Sequence, residues 1–261
     1  MGITVTTDAD GNRIIKVFQG KALISEQVTT VKPTSNVPIS EQDEKIVSVE
    51  NSVFCLRNYK DDFIQSSILR SNEYFGAGEL KVMSSYLNEN SVVLDIGANI
   101  GNHTLYFANE CNVKKIYAFE PVPYTYNLLK QNIKLNKLED RVETYCCGVS
   151  DKITNGTINT YDLKNLGGTR LKQCDEGDIK LVTLDSLNIK EKIDFIKIDV
   201  ETMDYEVLNG AKKTIKKSMP VIEIESFDQE LKKTDALLKL LGYKVAHEFK
   251  SCCEYIYVPD D

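Results

Sequence analysis

Residues 94–102 read Leu-Asp-Ile-Gly-Ala-Asn-Ile-Gly-Asn and are the most informative segment of the chain. An apolar run from Val92 to Ile96 leads into the segment, and a helical pattern from Asn102 to Asn109 follows it. The sequence therefore predicts a buried strand that turns through two glycines into a helix. Glycines allow close approach to the backbone, and the first N–H groups of a helix bind polar or anionic groups. We expect this loop to hold a cofactor.

The rest of the chain beyond Ser91 alternates short apolar strands with longer helical patterns, which is typical of a parallel sheet covered by helices on both faces. The further predicted strands are Lys115 to Phe119, Arg141 to Cys147, Ile193 to Ile198 and Pro220 to Ile224. The predicted helices are Pro123 to Asn136, Tyr205 to Lys217 and Gln229 to Leu241. The polar segment from Ser150 to Lys180 is interpreted as an excursion from the sheet. Two last runs, Tyr243 to Phe249 and Glu254 to Val258, are predicted to pair as an antiparallel hairpin.

The amino-terminal part of the chain has a different pattern. Residues up to about Val31 alternate β-branched and polar positions around Asp10-Gly11, which predicts a β-hairpin with its turn at that dipeptide. Lys32 to Lys45 contain prolines, serine, asparagine and acids, and are interpreted as a linker or surface loop. We expect an amino-terminal extension over 1–45 and a main domain over 46–261.

Composition narrows the classes of partner. The chain has 261 residues, of which 42% are hydrophobic, enough for one substantial core. Its net charge of −7 repels phosphate backbones, so we expect no nucleic-acid partner. The lysines at 212, 213, 216 and 217 fit a solvated helix face.

Seven cysteines, an odd number without C-x-x-C spacing, argue against a disulfide framework and against a zinc site. Free thiols in a reducing cytoplasm are the simpler interpretation, and we expect no metal ion. The amino terminus has no basic flank and no long apolar run, so neither a secretory signal nor a membrane span is expected. The sequence leaves the oligomeric state open.

The loop differs from the dinucleotide fingerprint G-x-G-x-x-G, because Asn99 and Asn102 stand at its second and third glycine positions. Asp95 would repel a pyrophosphate. It suits a cofactor with a free ammonium group, such as the methionine moiety of S-adenosylmethionine, through a charge-assisted hydrogen bond. We expect Gly97 and Gly101 to be required for the space that this methionine end fills, rather than for stability of the fold.

A second cofactor contact is predicted at the next strand, which ends in Phe119-Glu120-Pro121. An acid at the tip of this strand can accept hydrogen bonds from both ribose hydroxyls of a nucleotide. The alternative for Glu120 is an exposed acid that stabilises a helix start.

Four ordered motifs resemble the FkbM family of methyltransferases, whose pattern is D-x-G-A-N-x-G-N, F-E-P, K-I-D-V-E-G-x-E and V-L-x-G-A. The matching segments are residues 95–102, 119–121, 197–201 and 207–211. The resemblance covers about 79–225 and implies a Rossmann-like class I methyltransferase fold of the α/β class, with a mostly parallel sheet and an antiparallel closing hairpin. One departure is Thr202, which replaces the family's glycine, and it is followed by the acid Asp204.

The resemblance implies S-adenosylmethionine as cofactor and O-methylation of a sugar or another small hydroxylated metabolite. The acceptor is therefore expected to be a small molecule or glycan. The predicted cofactor-binding residues are Asp95, Gly97, Asn99, Gly101, Asn102, Glu120, Pro121, Ser150 and Asp151. Of these, Ser150 and Asp151 follow the third strand and are expected to flank the adenine, with capping of a loop as the alternative.

Acceptor chemistry is predicted at the end of the fourth strand. Strand alternation would place Lys197, Asp199 and Glu201 on one face, at the carboxyl end where open α/β sheets bind ligands. Methyl transfer to a hydroxyl needs an oriented acceptor and removal of its proton. We assign Asp199 and Glu201 as catalytic candidates, with Lys197 keeping Asp199 ionised. The alternative is a buried ion cluster that orders the strand end.

His103 follows the cofactor loop and could act as a base near neutral pH. Its simpler interpretation is a first-turn helix residue that packs outside the cleft. Two other functions stay open: a cofactor-binding but catalytically silent assembly module, which Thr202 supports, and an NAD-linked oxidoreductase, which Asp95 and the missing central glycine disfavour.

Overall fold

The structure is a computed structural model that describes residues 2–7, 13–19, 22–28 and 44–260. Three amino-terminal strands, β1 (Gly2–Thr7), β2 (Arg13–Gln19) and β3 (Ala22–Val28), form an antiparallel sheet in that order. The predicted pairing of the first two strands is therefore present, and a third strand joins them. The predicted turn at Asp10-Gly11 and all but the last two residues of the predicted linker lie outside the described residues.

The main body is built on a seven-stranded sheet. Its strands are β6 (Val92–Ile96), β7 (Lys115–Phe119), β8 (Val142–Tyr145), β13 (Phe195–Ile198), β14 (Val221–Glu225), β15 (Tyr243–Phe249) and β16 (Glu254–Pro259). The order is β15-β16-β14-β13-β6-β7-β8. The strands from β14 to β8 in this order run parallel, whereas β16 pairs antiparallel with both β14 and β15. The predicted mostly parallel sheet with a closing antiparallel hairpin is confirmed.

The other elements cover this sheet and its carboxyl edge. The helices are α1 (Phe63–Ser71), α2 (Ala77–Ser84), α3 (Asn102–Asn109), α4 (Pro123–Leu135), α5 (Leu184–Leu187), α6 (Asp204–Gly210), α7 (Lys212–Ser218) and α8 (Asp228–Leu240). The short strands are β4 (Lys45–Val49), β5 (Ser52–Leu56), β9 (Gly148–Val149), β10 (Thr154–Asp162), β11 (Asn165–Gln173) and β12 (Ile179–Val182). The helix predicted over 205–217 is thus two helices that meet at Ala211.

The strands are apolar because both faces of the sheet are buried. Alternate residues of β6 and β7, such as Val93 and Ile116, pack into one cluster with residues of α3 and α4. Their neighbours, such as Leu94 and Phe119, pack into a second cluster with residues of α6, α7 and α8. In the described part of the chain, every helix is too short or too polar to cross a bilayer.

The segment interpreted as an excursion from the sheet contains a β-hairpin. Strands β10 and β11 pair antiparallel and belong to a four-stranded sheet of order β11-β10-β12-β9. Asp62 ties this hairpin to the body: its Oδ2 accepts a hydrogen bond from Leu166 N at 2.8 Å, and its Oδ1 accepts one from Gln65 N at 2.9 Å, which caps α1. The hairpin therefore lies over the carboxyl edge of the main sheet.

Candidate active site

Two adjoining cavities open at the carboxyl ends of β6, β7 and β13. The smaller is lined by the loop after β6, by Glu120 and Pro121 after β7, and by hairpin residues that include Leu166 and Leu171. The larger, of about 340 Å³, extends between α1, α3 and the ends of β13 and β14. Five residues line both cavities: Gly97, Asn99, Gly167, Asp199 and Glu201.

The two glycines of the loop adopt left-handed conformations, with φ of +84° at Gly97 and +95° at Gly101. A Cβ on Gly97 would lie 1.7 Å from the carbonyl oxygen of Asp199, and one on Gly101 would lie 2.8 Å from Leu129 Cδ1. These glycines are therefore needed for the fold itself. This corrects the sequence-based reason, which was space for a cofactor.

Glu120 is 6% exposed and is held by three donors. Its Oε1 accepts hydrogen bonds from Val122 N at 2.8 Å and Thr125 Oγ1 at 2.7 Å, and its Oε2 accepts one from Asn99 N at 2.9 Å. Burial raises the pKa of Glu120 to about 7 against the effect of these bonds. Since a carboxylate has about four acceptor positions, Glu120 can still accept a hydrogen bond on Oε2. The residue lines the smaller cavity, where a ligand hydroxyl could supply this bond.

The smaller cavity combines an unpaired polar atom with an apolar wall. Asn99 adopts φ of 49°, and its side-chain Oδ1 is buried without a hydrogen-bond partner among the described residues. Buried polar atoms of this kind are rare unless a ligand or water meets them. The apolar part of the wall includes Phe119, Val149, Leu166, Leu171 and Met203. An unpaired acceptor beside an apolar wall suits an adenosine group.

The structure places Asp95 beneath the loop rather than in a cavity wall. Its side chain is 0% exposed, and its Oδ2 accepts a hydrogen bond from Thr104 Oγ1 at 2.5 Å. Its Oδ1 lies 3.5 Å from Lys197 Nζ. Asp95 is therefore not brought to the position expected for a direct ammonium ligand, and it instead orders Thr104 and Lys197.

Three other predicted cofactor ligands are also engaged in the fold. The side chain of Asn102 accepts a hydrogen bond from Phe75 N at 3.0 Å and donates one to Phe75 O at 2.9 Å. Gln173 Nε2 donates to both Ser150 Oγ, at 2.7 Å, and Asp151 Oδ1, at 2.8 Å. Neither Ser150 nor Asp151 lines the two cavities, which corresponds to the loop-capping alternative.

Lys197 is the central cation of the site. It is 2% exposed, and its Nζ donates to Gly97 O at 2.9 Å and to Asp199 Oδ2 at 3.1 Å. Burial lowers the pKa of Lys197, but the charges of Asp199, Asp95 and Glu223 outweigh burial and hold the pKa above its ordinary value. One ammonium group therefore joins the ends of β6 and β13, as the buried-cluster alternative also predicted.

The two catalytic candidates come together, but by a different route from the one predicted. Strand β13 ends at Ile198, and residues Glu201 and Thr202 adopt left-handed conformations with φ of 51° and 83°. Strand alternation therefore does not reach Glu201. The turn nevertheless brings carboxylate oxygens of Asp199, Glu201 and Glu225 within 4.8 Å of one another. Thr202 lies at a position whose backbone conformation favours glycine, which explains why the family pattern has glycine there.

Asp199 and Glu225 influence each other's ionisation, because their carboxyl groups are close and hydrogen bonded. Burial raises the pKa of Asp199, but Lys197 and a hydrogen bond from Glu225 outweigh it and keep the pKa below its ordinary value. Burial, the charge of Asp199 and the hydrogen bond to it raise the pKa of Glu225 to about 10. At neutral pH Asp199 is therefore a carboxylate that accepts a hydrogen bond from a protonated Glu225.

His103 lines the larger cavity, so the expectation that it packs outside the cleft is wrong. Burial and the charge of Lys197 lower the pKa of His103 to about 4. The imidazole is therefore neutral at physiological pH.

Sequence reasoning missed Glu223, Glu225 and Glu254. The register pairs Lys197 with both Asp95 and Glu223, and it pairs Glu225 with Glu254. Two acids inside the buried run Val-Ile-Glu-Ile-Glu at 221–225 were the available signal, because charged residues in a central strand are rare unless paired.

Comparison with known proteins agrees with this geometry. Residues 95–245 match the model of the methyltransferase FkbM domain. Methyltransferase sdnD of Sordaria araneosa is 24% identical in an alignment of 249 positions that covers 80% of this chain and 92% of that protein. A tRNA(Phe) (4-demethylwyosine(37)-C(7)) aminocarboxypropyltransferase of Methanocaldococcus jannaschii is 30% identical in an alignment of 152 positions that covers 54% of this chain and 60% of that one.

Among solved structures, the methyltransferase FkbM from Methylobacillus flagellatus superposes with a TM-score of 0.50 at 17% identity, over 77% of this chain and 47% of that one. The fold is that of a class I methyltransferase. The chain belongs to the FkbM methyltransferase family.

Proposed function

We propose that this protein transfers a methyl group from S-adenosylmethionine to a hydroxyl oxygen of a small-molecule or glycan acceptor. The observation that carries the proposal is the shared wall of the two cavities, where Asp199 and Glu201 face both of them. A cofactor in the smaller cavity and an acceptor in the larger would meet at these carboxylates.

Within the smaller cavity, Glu120 and Asn99 are the proposed contacts to the nucleoside, with Gly97 and Pro121 forming the adjoining wall. Gly101, Asn102, Ser150 and Asp151 would act through the shape of the loops. Asp95 is proposed to act through Thr104 and Lys197. When bound, S-adenosylmethionine supplies a sulfonium methyl group, so the acceptor oxygen forms a C–O bond as the C–S bond breaks and its electrons remain on sulfur.

Asp199 is the proposed acceptor of the hydroxyl proton, because it is ionised and lies on the shared wall. Glu201 would orient the same hydroxyl from the opposite side of the turn. Its Oε2 lies 3.6 Å from Arg170 Nε of the hairpin, which fixes the direction of the carboxylate. Orientation and proton removal are what a displacement at a sulfonium methyl requires of the protein.

Calorimetry with S-adenosylmethionine tests the cofactor assignment. Glu120→Ala is expected to weaken binding about ten- to a hundredfold, because it removes the acceptor proposed for the cofactor's ribose hydroxyl. Glu139→Ala, an exposed acid remote from both cavities, is the matched control. Unchanged affinity in Glu120→Ala would refute the assignment.

A screen of glycan and small-molecule acceptors with labelled cofactor tests the reaction. Asp199→Asn and Glu201→Gln are expected to lower single-turnover methyl transfer by about 10²–10⁴-fold, with cofactor affinity nearly intact in Glu201→Gln. Full activity in both variants would make the carboxylates structural. Thr202 supports the alternative of a catalytically silent module, and turnover on any acceptor excludes that alternative.

A further inference from the structure

The larger cavity carries an excess of carboxyl groups over cations. Five acids line it: Glu79, Asp199, Glu201, Glu225 and Glu254. Among the described residues that line it, Lys197 is the one permanent cation. His103 is the other basic residue of the wall and is neutral, because burial and Lys197 lower its pKa to about 4. Glu225 is protonated at neutral pH, but the other four acids still outnumber the one permanent cation, so an anionic acceptor would be repelled from such a wall.

Lys197 does not neutralise every acid that lines this cavity. Its ammonium group is occupied by Gly97 O, Asp199 Oδ2 and the nearby Asp95. Arg170 forms an ion pair with Glu201. Glu79 and Glu254 also line the cavity, and neither forms an ion pair with a described residue.

One acid of this lining has a buried oxygen without a partner. Oε2 of Glu254 is buried and makes no hydrogen bond within the described structure. A buried polar atom of this kind is unfavourable unless a donor is supplied. A ligand that brings an N–H donor would satisfy it.

Aromatic rings also line this cavity. Phe63 and Phe75 pack edge to face with their ring centroids 5.6 Å apart, and Phe227 is a further lining residue. Aromatic faces attract organic cations through the ring quadrupole and also pack against apolar carbon. Proteins commonly bind an organic ammonium group with carboxylates and aromatic rings together.

We propose that the acceptor is a hydroxylated amine that binds as an ammonium ion, with its charged nitrogen at Glu79 and Glu254 and its hydroxyl at Asp199. The inference rests on the proposed function, because it takes the larger cavity as the acceptor site. It narrows the acceptor from small metabolites in general to positively charged ones, such as amino sugars or amino alcohols.

Three probes of matched shape test the charge preference: benzylamine, benzyl alcohol and benzoate. Their binding to the full chain is measured by ligand-observed NMR, in buffer that contains a chelator, with and without S-adenosylmethionine. Benzylamine is expected to bind about tenfold more tightly than benzyl alcohol, and benzoate most weakly, since a charge-assisted hydrogen bond replaces a neutral one. Equal or weaker binding of benzylamine, or no binding at millimolar concentration, overturns the proposal.

Variants locate the ammonium group. Glu79 and Glu254 line only the larger cavity, and Glu79→Gln and Glu254→Gln are each expected to remove most of the preference for benzylamine. Glu248→Gln, an exposed acid on β15, is the control and should retain it. A preference that survives in both cavity variants places the amine elsewhere, and displacement of benzylamine by Mg²⁺ at submillimolar concentration in chelator-free buffer makes the site one for a metal ion. Either result overturns the proposal.

Calorimetry with S-adenosylmethionine distinguishes failure of the proposed function from failure of the charge assignment. If the wild-type protein does not bind S-adenosylmethionine but still prefers benzylamine, the proposed function is refuted and the ammonium site is not. Normal cofactor binding with transfer to neutral or acidic acceptors, and no benzylamine preference, would refute the charge assignment alone.

Discussion

Gly97 shows how one residue fixes the relation of two loops. Its φ is +84°, and a Cβ at this position would lie 1.7 Å from Asp199 O, which leaves no room for any side chain. Gly97→Val is therefore expected to destabilise the fold by several kcal/mol or to prevent folding, because backbone cannot yield as a flexible side chain can. Urea denaturation measures the change.

The control for that variant is Gly78→Ala. Gly78 is in α2 and has no positive φ, and a Cβ at this position would have no atom within 4 Å. The substitution should be neutral or slightly stabilising, since alanine favours helix more than glycine does. If Gly97→Val unfolds cooperatively at the same urea concentration as the wild type, the contact between Gly97 and Asp199 O is not needed for the fold.

Thr202 adopts a left-handed backbone conformation that is unfavourable for a β-branched residue. At φ of 83° a β-branched residue destabilises the folded state by about 1–3 kcal/mol. Glycine would relieve this strain, but it would also increase the conformational entropy of the unfolded chain, which offsets part of the gain. Thr202→Gly is expected to raise the free energy of unfolding by about 1 kcal/mol. Asn188→Gly, at φ of 54°, is the comparison and should change less because asparagine tolerates this region. A destabilised Thr202→Gly would show that the hydroxyl or methyl group has a partner that outweighs the strain.

At the scale of elements, the sequence predicted the central strands well. Strands β6, β7 and β13 are short, mostly apolar runs with one charged residue each, and turn or polar residues bound them, so their approximate limits are visible locally. The β10–β11 hairpin was not predicted, because its strands lack the alternation of apolar and polar residues that marks a half-buried strand. Each strand has a single buried residue, Gly156 in β10 and Leu166 in β11. The cluster around Asp199 was predicted in part. Glu225 and Glu254 join it through strand register, which no local pattern encodes.

The hairpin depends on one buried carboxylate. Asp62 is bonded to Leu166 N and caps α1 through Gln65 N, and Phe63 N donates to Lys164 O at 2.8 Å beside it. Asp62→Ala is expected to speed amide hydrogen exchange over residues 163–168 about tenfold or more, with α3 and α4 unchanged. Mass spectrometry of exchanged peptides gives the readout. Uniform acceleration throughout the protein would instead indicate global destabilisation.

Across the whole molecule, buried acids make stability depend on pH. Burial raises the pKa of Glu120, Asp204 and Glu254 to about 7. The folded state then binds more protons than the unfolded state between the ordinary carboxyl pKa and about pH 7. The contribution of these groups to the free energy of unfolding is therefore greatest at low pH and falls as pH rises through this window.

Asp204 offers the clearest variant for this effect. It is 0% exposed, and one of its oxygens accepts a hydrogen bond from Ser226 Oγ at 3.0 Å. Asp204→Asn should match the wild type near pH 4.5 and exceed it in stability at pH 8, because the amide never bears the buried charge. Urea denaturation at both pH values provides the measurement, with the exposed Asp140→Asn as control. A stability gain of equal size at both pH values would assign it to something other than ionisation.

The close contact between Gly97 and the Asp199 backbone also has a thermodynamic consequence for ligands. Asp199 N donates to Ile96 O at 3.0 Å, and Lys197 links Gly97 O to the Asp199 carboxylate. The two loops are therefore held in a fixed relation to each other. We therefore expect a ligand that displaces one loop to displace the other, so that binding in the two cavities is linked. Such linkage is reciprocal: the factor by which the first ligand changes the affinity of the second equals the factor by which the second changes that of the first.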